Sequence, residues 1–170
     1  GAVSFRIPES KGERTRARFS AYFAAAGKDN LAVIRAAMQH MMTDKVGVFR
    51  HETGLTEACQ ELRELKERAG ATRIDQQGLA MNQELVTRLE LDSALATSAV
   101  IARCALDRRE SRGGHFRDDY PERSDEFNRH TLAWMETFGE IRLGTRAVNM
   151  SIFEAGGPFA EKFAVIERKY

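Results

Sequence analysis

Long apolar runs are missing from this 170-residue chain, and so are the short motifs that announce a nucleotide, a metal or a nucleophile. No stretch approaches the roughly 20 apolar residues that a bilayer crossing needs. The two cysteines, Cys59 and Cys104, form no CxxC pair, which leaves a zinc site without support. Both sit among apolar residues in helical patterns and read as inert core thiols of a reducing compartment. No GxGxxG opens a strand–turn–helix unit, no GxxxxGK precedes a Ser or Thr, and no GxSxG elbow occurs. The four histidines, His40, His51, His115 and His130, make no HExxH or other metal-ligand spacing. A charge excess is absent as well. The 26 basic and 25 acidic residues leave a net +1, which gives no electrostatic case for nucleic acid or anionic lipid as the main partner. The first residues, Gly1 to Pro8, lack the basic-then-apolar layout of a secretory signal, and the start at Gly1 is what a processed or excised piece shows.

What is present is mostly helical periodicity. Residues 1–28 read as a solvated basic lead-in carrying Arg14, Arg16 and Arg18, with a short helix ended by Gly27 as the alternative. A first clear helix starts near Asp29 or Asn30, either of which can cap it. Leu31, Ile34, Met38, Met41 and Phe49 form its apolar stripe. Gly47 inside that pattern costs about 1 kcal/mol relative to alanine, for which a close helix–helix contact is one reason. Thr53-Gly54 breaks the pattern. A second helix then runs through Leu55, Ala58, Cys59, Leu62, Leu65 and Ala69 and ends at Gly70. His51 reads as a helix-end charge partner.

The third helix is the longest, from about residue 79 to 109, with Leu85, Leu89, Leu95, Ala99, Ala102 and Leu106 facing inward. Its 94–105 stretch is small or aliphatic nearly all round, so it is buried on more than one side, the second flank against something this chain does not obviously provide. Three long helices with short loops pack antiparallel. Beyond Gly113-Gly114 the period changes. Residues 131–136 and 141–150 are strand-like, with 137–140 as a candidate hairpin turn, and Gly156-Gly157-Pro158 is a clear breaker. The fold class is therefore mainly α: an antiparallel three-helix bundle over 29–113, then a small irregular extension over 114–170 with a charged loop and a candidate hairpin.

One segment concentrates charge and glycine after the buried helix. It contains Arg109, Glu110, Ser111, Arg112, Gly113, Gly114, His115, Arg117, Asp118, Asp119 and Tyr120. The glycines permit a sharp exit. Arg109 and Arg112 carry forks suited to carboxylates, and Asp118 and Asp119 are candidate partners within the segment. Taken bare, it reads as a solvated helix end or an inter-domain docking loop rather than a catalytic site.

The string Glu110-Ser111-Arg112-Gly113, His115, Arg117, Asp119-Tyr120-Pro121 and Arg123 resembles the ESRG-x-H-x-R-x-DYP-x-R signature of succinate dehydrogenase and fumarate reductase flavoproteins. Val46-Gly47-Val48-Phe49-Arg50 resembles the end of that family's first bundle helix, and Asn82-Gln83-Glu84-Leu85 the start of its third. His130-Thr131-Leu132 and Arg146-Ala147-Val148-Asn149-Met150 resemble its closing region. L-aspartate oxidases share the ESRG and DYP core but resemble this chain less after Pro121.

The resemblance implies a spectrin-like three-helix bundle at the C-terminal end of an FAD-dependent subunit, with residues 1–28 the end of an upstream region or its linker. It implies that FAD and the succinate/fumarate site belong to upstream polypeptide, so that no catalytic, cofactor-binding or metal residue falls in this chain and the fragment alone is inactive. It implies two partners, the upstream flavin domain, which Arg109, Glu110, Ser111, Arg112, Gly113, His115, Arg117, Asp119 and Tyr120 would dock, and an iron–sulfur electron-transfer subunit; through such subunits it implies a cytoplasmic position at the inner face of a membrane without insertion. The alternatives are a stand-alone helical interaction module and the C-terminal domain of an L-aspartate oxidase.

Overall fold

The computed structural model describes residues 10–151 and 159. The chain runs α1 (Ser10–Ala24), α2 (Leu31–Val46), β1 (Phe49–Arg50), α3 (Glu52–Ala71), α4 (Gln83–Asp107), β2 (Phe116–Arg117), a 3-10 turn (Asp125–Phe127), β3 (Arg129–Thr137) and β4 (Glu140–Ala147).

α2, α3 and α4 form the expected bundle, and their ion pairs report its directions. Lys45 at the end of α2 bonds Glu57 and Glu61 near the start of α3, whereas Asp29, just ahead of α2, accepts both branches of Arg68 near the end of α3. Lys66, late in α3, reaches Asp92, early in α4, at 2.6 Å. Each helix starts on a side-chain acceptor that takes an orphan N–H. Asn30 accepts from Ala32, His51 Nδ1 from Gly54, and Asn82 from Leu85. His51 thus caps the start of α3 as an acceptor, instead of partnering the end of the preceding helix as a cation.

Most of the core is what the spacing implied: Ile34, Met38 and Met41 from α2; Leu55, Ala58, Leu62, Leu65 and Ala69 from α3; Leu95, Ala99 and Ala102 from α4, joined by Leu91 and Ala105, with Leu106 only partly buried at its edge. α3 runs through Gly70 to Ala71, one residue beyond the expected end, and three other boundaries differ more. α2 stops at Val46 with Gly47 as its cap, so Phe49 leaves the stripe and stands 70% exposed in β1. Thr53-Gly54 does not break the pattern but sits in the first turn of α3, Gly54 against the His51 ring. α4 begins at Gln83 and ends at Asp107, shorter than the 79–109 expected.

The second flank of α4 is covered in part by this chain itself. At its start, Leu85 and Leu89 meet Tyr22, Phe19 and Phe23 of α1, together with Ile74, rather than the bundle interior. α1 therefore replaces the expected solvated lead-in over residues 10–24. Tyr22 is buried and donates to Asp92, Arg18 comes within 3.4 Å of the same carboxylate, and the guanidinium of Arg88, only 2% exposed, lies 4.5 Å over the Tyr22 ring. Toward the other end of α4, Phe138 and Ile141 of the β3–β4 hairpin pack on the core.

That hairpin is antiparallel as expected, with Thr131 opposite Thr145 and Ala133 opposite Leu143. It turns on Phe138 and Gly139, whose φ of +87° falls in the left-handed region that glycine tolerates. The glycine–proline breaker at 156–158 lies outside the described residues. Among those described, no helix is long and apolar enough to cross a membrane.

Candidate functional site

The segment after α4 is folded back under the bundle instead of being a solvated helix end. Its anchor is Glu110, which is 0% exposed. Arg112 grips the carboxylate with both branches, Nε at 2.8 Å and Nη2 at 3.0 Å, while Arg108 adds a further bond and the Ser124 backbone N–H donates at 2.9 Å. A buried carboxylate survives only if its lone pairs are filled, and here they are. Burial pushes the Glu110 carboxyl up. The hydrogen bonds from Arg112, Ser124 and Arg108 outweigh that and hold it below its ordinary range. Arg108 and Arg112 also donate to the carbonyls of Phe127, Arg129 and Ser124, which ties the loop to the base of β3.

Arg117 is the second anchor, also 0% exposed. Its Nη1 donates to the carbonyls of Ala105 and Leu106, both at 3.2 Å, and faces that of Arg108 at 3.4 Å. These are orphan acceptors at the C-terminal end of α4, where a cation is favoured by the helix dipole. Nε and Nη2 hold Asp119 in a bidentate pair at 2.7 Å each. Asp119 in turn accepts the backbone N–H of Glu52, the first residue of α3, at 2.9 Å. One side-chain pair thus places a cation on the end of α4 and an anion on the start of α3, and clamps the two helices together. The Arg117 guanidinium brings the Asp119 carboxyl down to about 2.

A two-residue parallel ribbon completes the clasp. Phe49 pairs with Phe116 and Arg50 with Arg117, through Phe116 N–H to the Val48 carbonyl and Asp118 N–H to that of Arg50 at 2.8 Å. Arg50 bonds the carbonyls of Val46 and Gly47 and so closes the end of α2. It also donates to His115 Nδ1 at 2.5 Å. His115 Nε2 must then carry the hydrogen given to the Arg108 carbonyl at 3.0 Å, which fixes a neutral tautomer. Burial pushes the His115 pKa down, and the nearby Arg50, Arg117 and Arg108 charges add to this. Ser111 Oγ is used at both ends, accepting from Arg117 N–H and donating to the Tyr120 carbonyl, both at 2.9 Å. Gly113, at φ +61°, and Gly114 close the tight turn in which Arg112 and His115 exchange backbone bonds.

Glu110, Ser111, Arg112, Gly113, His115, Arg117, Asp119 and Tyr120 are brought together, Tyr120 with its ring 4.9 Å from the Arg117 guanidinium. Arg109 is not. It is exposed and borders a trough with Arg103, Asp107, Glu126 and Phe127. The expected pairing of Arg109 and Arg112 with Asp118 and Asp119 is not what forms: Arg112 takes Glu110, and Asp119 takes Arg117. Arg50, Glu52, Arg108 and Ser124 belong to the clasp as well, although they were not among the docking residues expected from the sequence.

The side chains of the clasp are committed to structural contacts. Ser111 and His115 are hydrogen-bonded to backbone and Arg50, not to each other, so they form no nucleophile–base pair. Gly113-Gly114 closes a turn and opens no helix, so it does not fit the phosphate cradle of a dinucleotide. An apolar cavity between α3, α4 and the hairpin turn, lined in part by Cys59, Phe138 and Ile141, holds about 230 Å³. That is below the roughly 300–1,000 Å³ of small-molecule clefts, whereas the open polar trough beside Arg109 holds about 600 Å³. Cys59 and Cys104 are free and half-buried, and burial pushes both thiols up, away from the reactive thiolate.

The model of the fumarate reductase flavoprotein C-terminal family matches residues 35–170. A fumarate reductase flavoprotein subunit from Mycobacterium tuberculosis is 38% identical over 131 residues, which are 76% of this chain and 22% of that one. A succinate dehydrogenase flavoprotein subunit from Rickettsia bellii is 32% identical over 146 residues, 85% of this chain and 24% of that one. Among solved structures, the E. coli quinol fumarate reductase FrdA chain superposes with a TM-score of 0.78 at 30% identity, covering 87% of this chain and 26% of that one. The chain therefore spans about a quarter of the length of the relatives it matches.

Proposed function

Because the chain belongs to the fumarate reductase flavoprotein C-terminal family, we propose that it is the non-catalytic helical scaffold of an FAD-dependent subunit that interconverts succinate and fumarate. Flavin and dicarboxylate are held by polypeptide upstream, and this bundle packs on that flavin domain. The family match carries the reading, since it falls on the C-terminal part of relatives about four times longer. The clasp supports it. Val48 and Phe49 stand 58% and 70% exposed beside it, Phe49 edge-on to Phe116 at 5.6 Å, an apolar patch of the kind an inter-domain contact covers. The clasp residues serve docking by holding that patch in place, and residues 1–28 lead in from the flavin domain. In the parent enzyme an iron–sulfur subunit exchanges electrons with the flavin, at the cytoplasmic face of a membrane that this chain does not itself enter.

The test compares the 170-residue chain with the protein extended upstream. The extended protein shows flavin absorbance and succinate-dependent dye reduction, and this chain alone shows neither. Stoichiometric FAD on the 170-residue chain, or an extended protein inert toward succinate and fumarate, contradicts the reading.

A further inference from the structure

Alternation along a hairpin sorts its side chains onto two faces. Thr131, Ala133, Met135, Ile141 and Leu143 are half-buried, Ile141 packed on the bundle core. The other face carries three cross-strand pairs: His130 opposite Arg146, Leu132 opposite Gly144, and Trp134 opposite Arg142. His130, Arg142 and Arg146 are exposed, and Trp134 is 42% exposed. The tryptophan lies across Gly144, where an added Cβ would come within 2.9 Å of the ring. The Arg142 guanidinium stacks on it, 4.3 Å from the ring centroid.

Neither Arg142 nor Arg146 has a carboxylate within ion-pair distance among the described residues, in a chain whose other arginines are largely committed to carboxylates or helix ends. Carboxylates on this hairpin, Glu136 and Glu140, sit at its turn end. The face is thus an aromatic shelf with Arg142 beside the ring, two residues along β4 from Glu140, and Arg146 toward the end away from the turn, neither arginine ion-paired among the described residues. Tryptophan and arginine are the residues most often found to carry binding energy, and a charge-rich face suits a separate, exchangeable partner better than a permanent apolar contact.

We infer that this outward hairpin face docks an acidic segment of another protein chain. Arg142 and Arg146 are four residues apart, about 13 Å at 3.3 Å per residue, so the segment presents two carboxylates at about that spacing. An apolar side chain between them lies on Trp134 over Gly144. The inference does not depend on which reaction the upstream region performs.

Trp134 is the sole tryptophan of the chain, so its emission reads the site directly. The 170-residue chain is titrated with a synthetic peptide of two Asp-Glu pairs flanking a leucine, with its Lys-Lys counterpart, and with a single-stranded oligonucleotide of equal negative charge. The acidic peptide gives a saturable emission change that weakens with salt, and the lysine peptide gives none. Arg142→Gln with Arg146→Gln weakens the acidic peptide at least about tenfold while the thermal midpoint stays unchanged. Arg14→Gln with Arg16→Gln, the same charge removed from α1, leaves the affinity as it was. No saturable change up to millimolar acidic peptide overturns the inference. So do equal losses in both double variants, or tighter binding of the oligonucleotide, which would make the site one for phosphate.

Discussion

Replacing Asp119 with asparagine takes one charge out of the clamp between α4 and α3 and leaves the shape nearly intact. In the folded chain Arg117 lowers the Asp119 carboxyl from its ordinary 3.8 to about 2. At about 1.4 kcal/mol per unit, that separation is worth at most roughly 2.5 kcal/mol at pH 7. The carboxylate keeps 30% of its surface in water, so screening reduces the figure to about 1–2 kcal/mol. A depressed folded pKa stabilises above the unfolded value and loses its effect as pH falls through the folded one. The difference between the native chain and Asp119→Asn is therefore constant from pH 7 down to about pH 5, about half gone near pH 3, and nearly absent at pH 2. Urea unfolding followed by far-UV circular dichroism across that range measures it. A difference that is the same at pH 7 and pH 3, or a variant as stable as the native chain at pH 7, would refute the clamp as described.

Glu110→Ala strips Arg108 and Arg112 of their shared carboxylate. A loss of about 3 kcal/mol follows, the low end for breaking a buried pair because both guanidiniums keep some water, and it is read from the urea midpoint. His115, whose pKa is lowered by burial and by neighbouring arginines, makes the unfolded chain the first to take up a proton. Stability accordingly falls as pH drops below about 6.5, and His115→Gln removes that share of the slope in thermal melts between pH 7 and pH 5. Gly144→Ala drives a methyl into the Trp134 ring, at a cost of roughly 1–3 kcal/mol. The sole tryptophan is displaced, so its emission maximum shifts; an unchanged spectrum rules out the stacked geometry.

The bundle was legible because a 3.6-residue period forces Ile34, Met38 and Met41, or Leu55, Ala58, Leu62 and Leu65, onto one side whatever the chain does elsewhere. Phe49 shows where that reasoning stops. Its spacing continues the α2 stripe, but Gly47 ends the helix, and the ribbon to Phe116 turns the ring outward. The all-round apolar character of α4 was legible, and its covering was not, since α1 and the hairpin reach it only through tertiary packing. The ESRG string marked the candidate site by resemblance, yet its pairings were hidden. Arg112 finds Glu110 two residues back and Arg117 finds Asp119 two residues on, because the turn at Gly113 and the ribbon at Arg50 set the directions of those side chains.

The scaffold account is tested most directly by mixing this chain with the separately expressed upstream flavin region and measuring the stoichiometry by sedimentation. A one-to-one complex is expected, with the flavin carried wholly by the upstream partner and association weakened by Phe49→Ser. Two species that sediment independently, or a complex indifferent to Phe49→Ser, would contradict it.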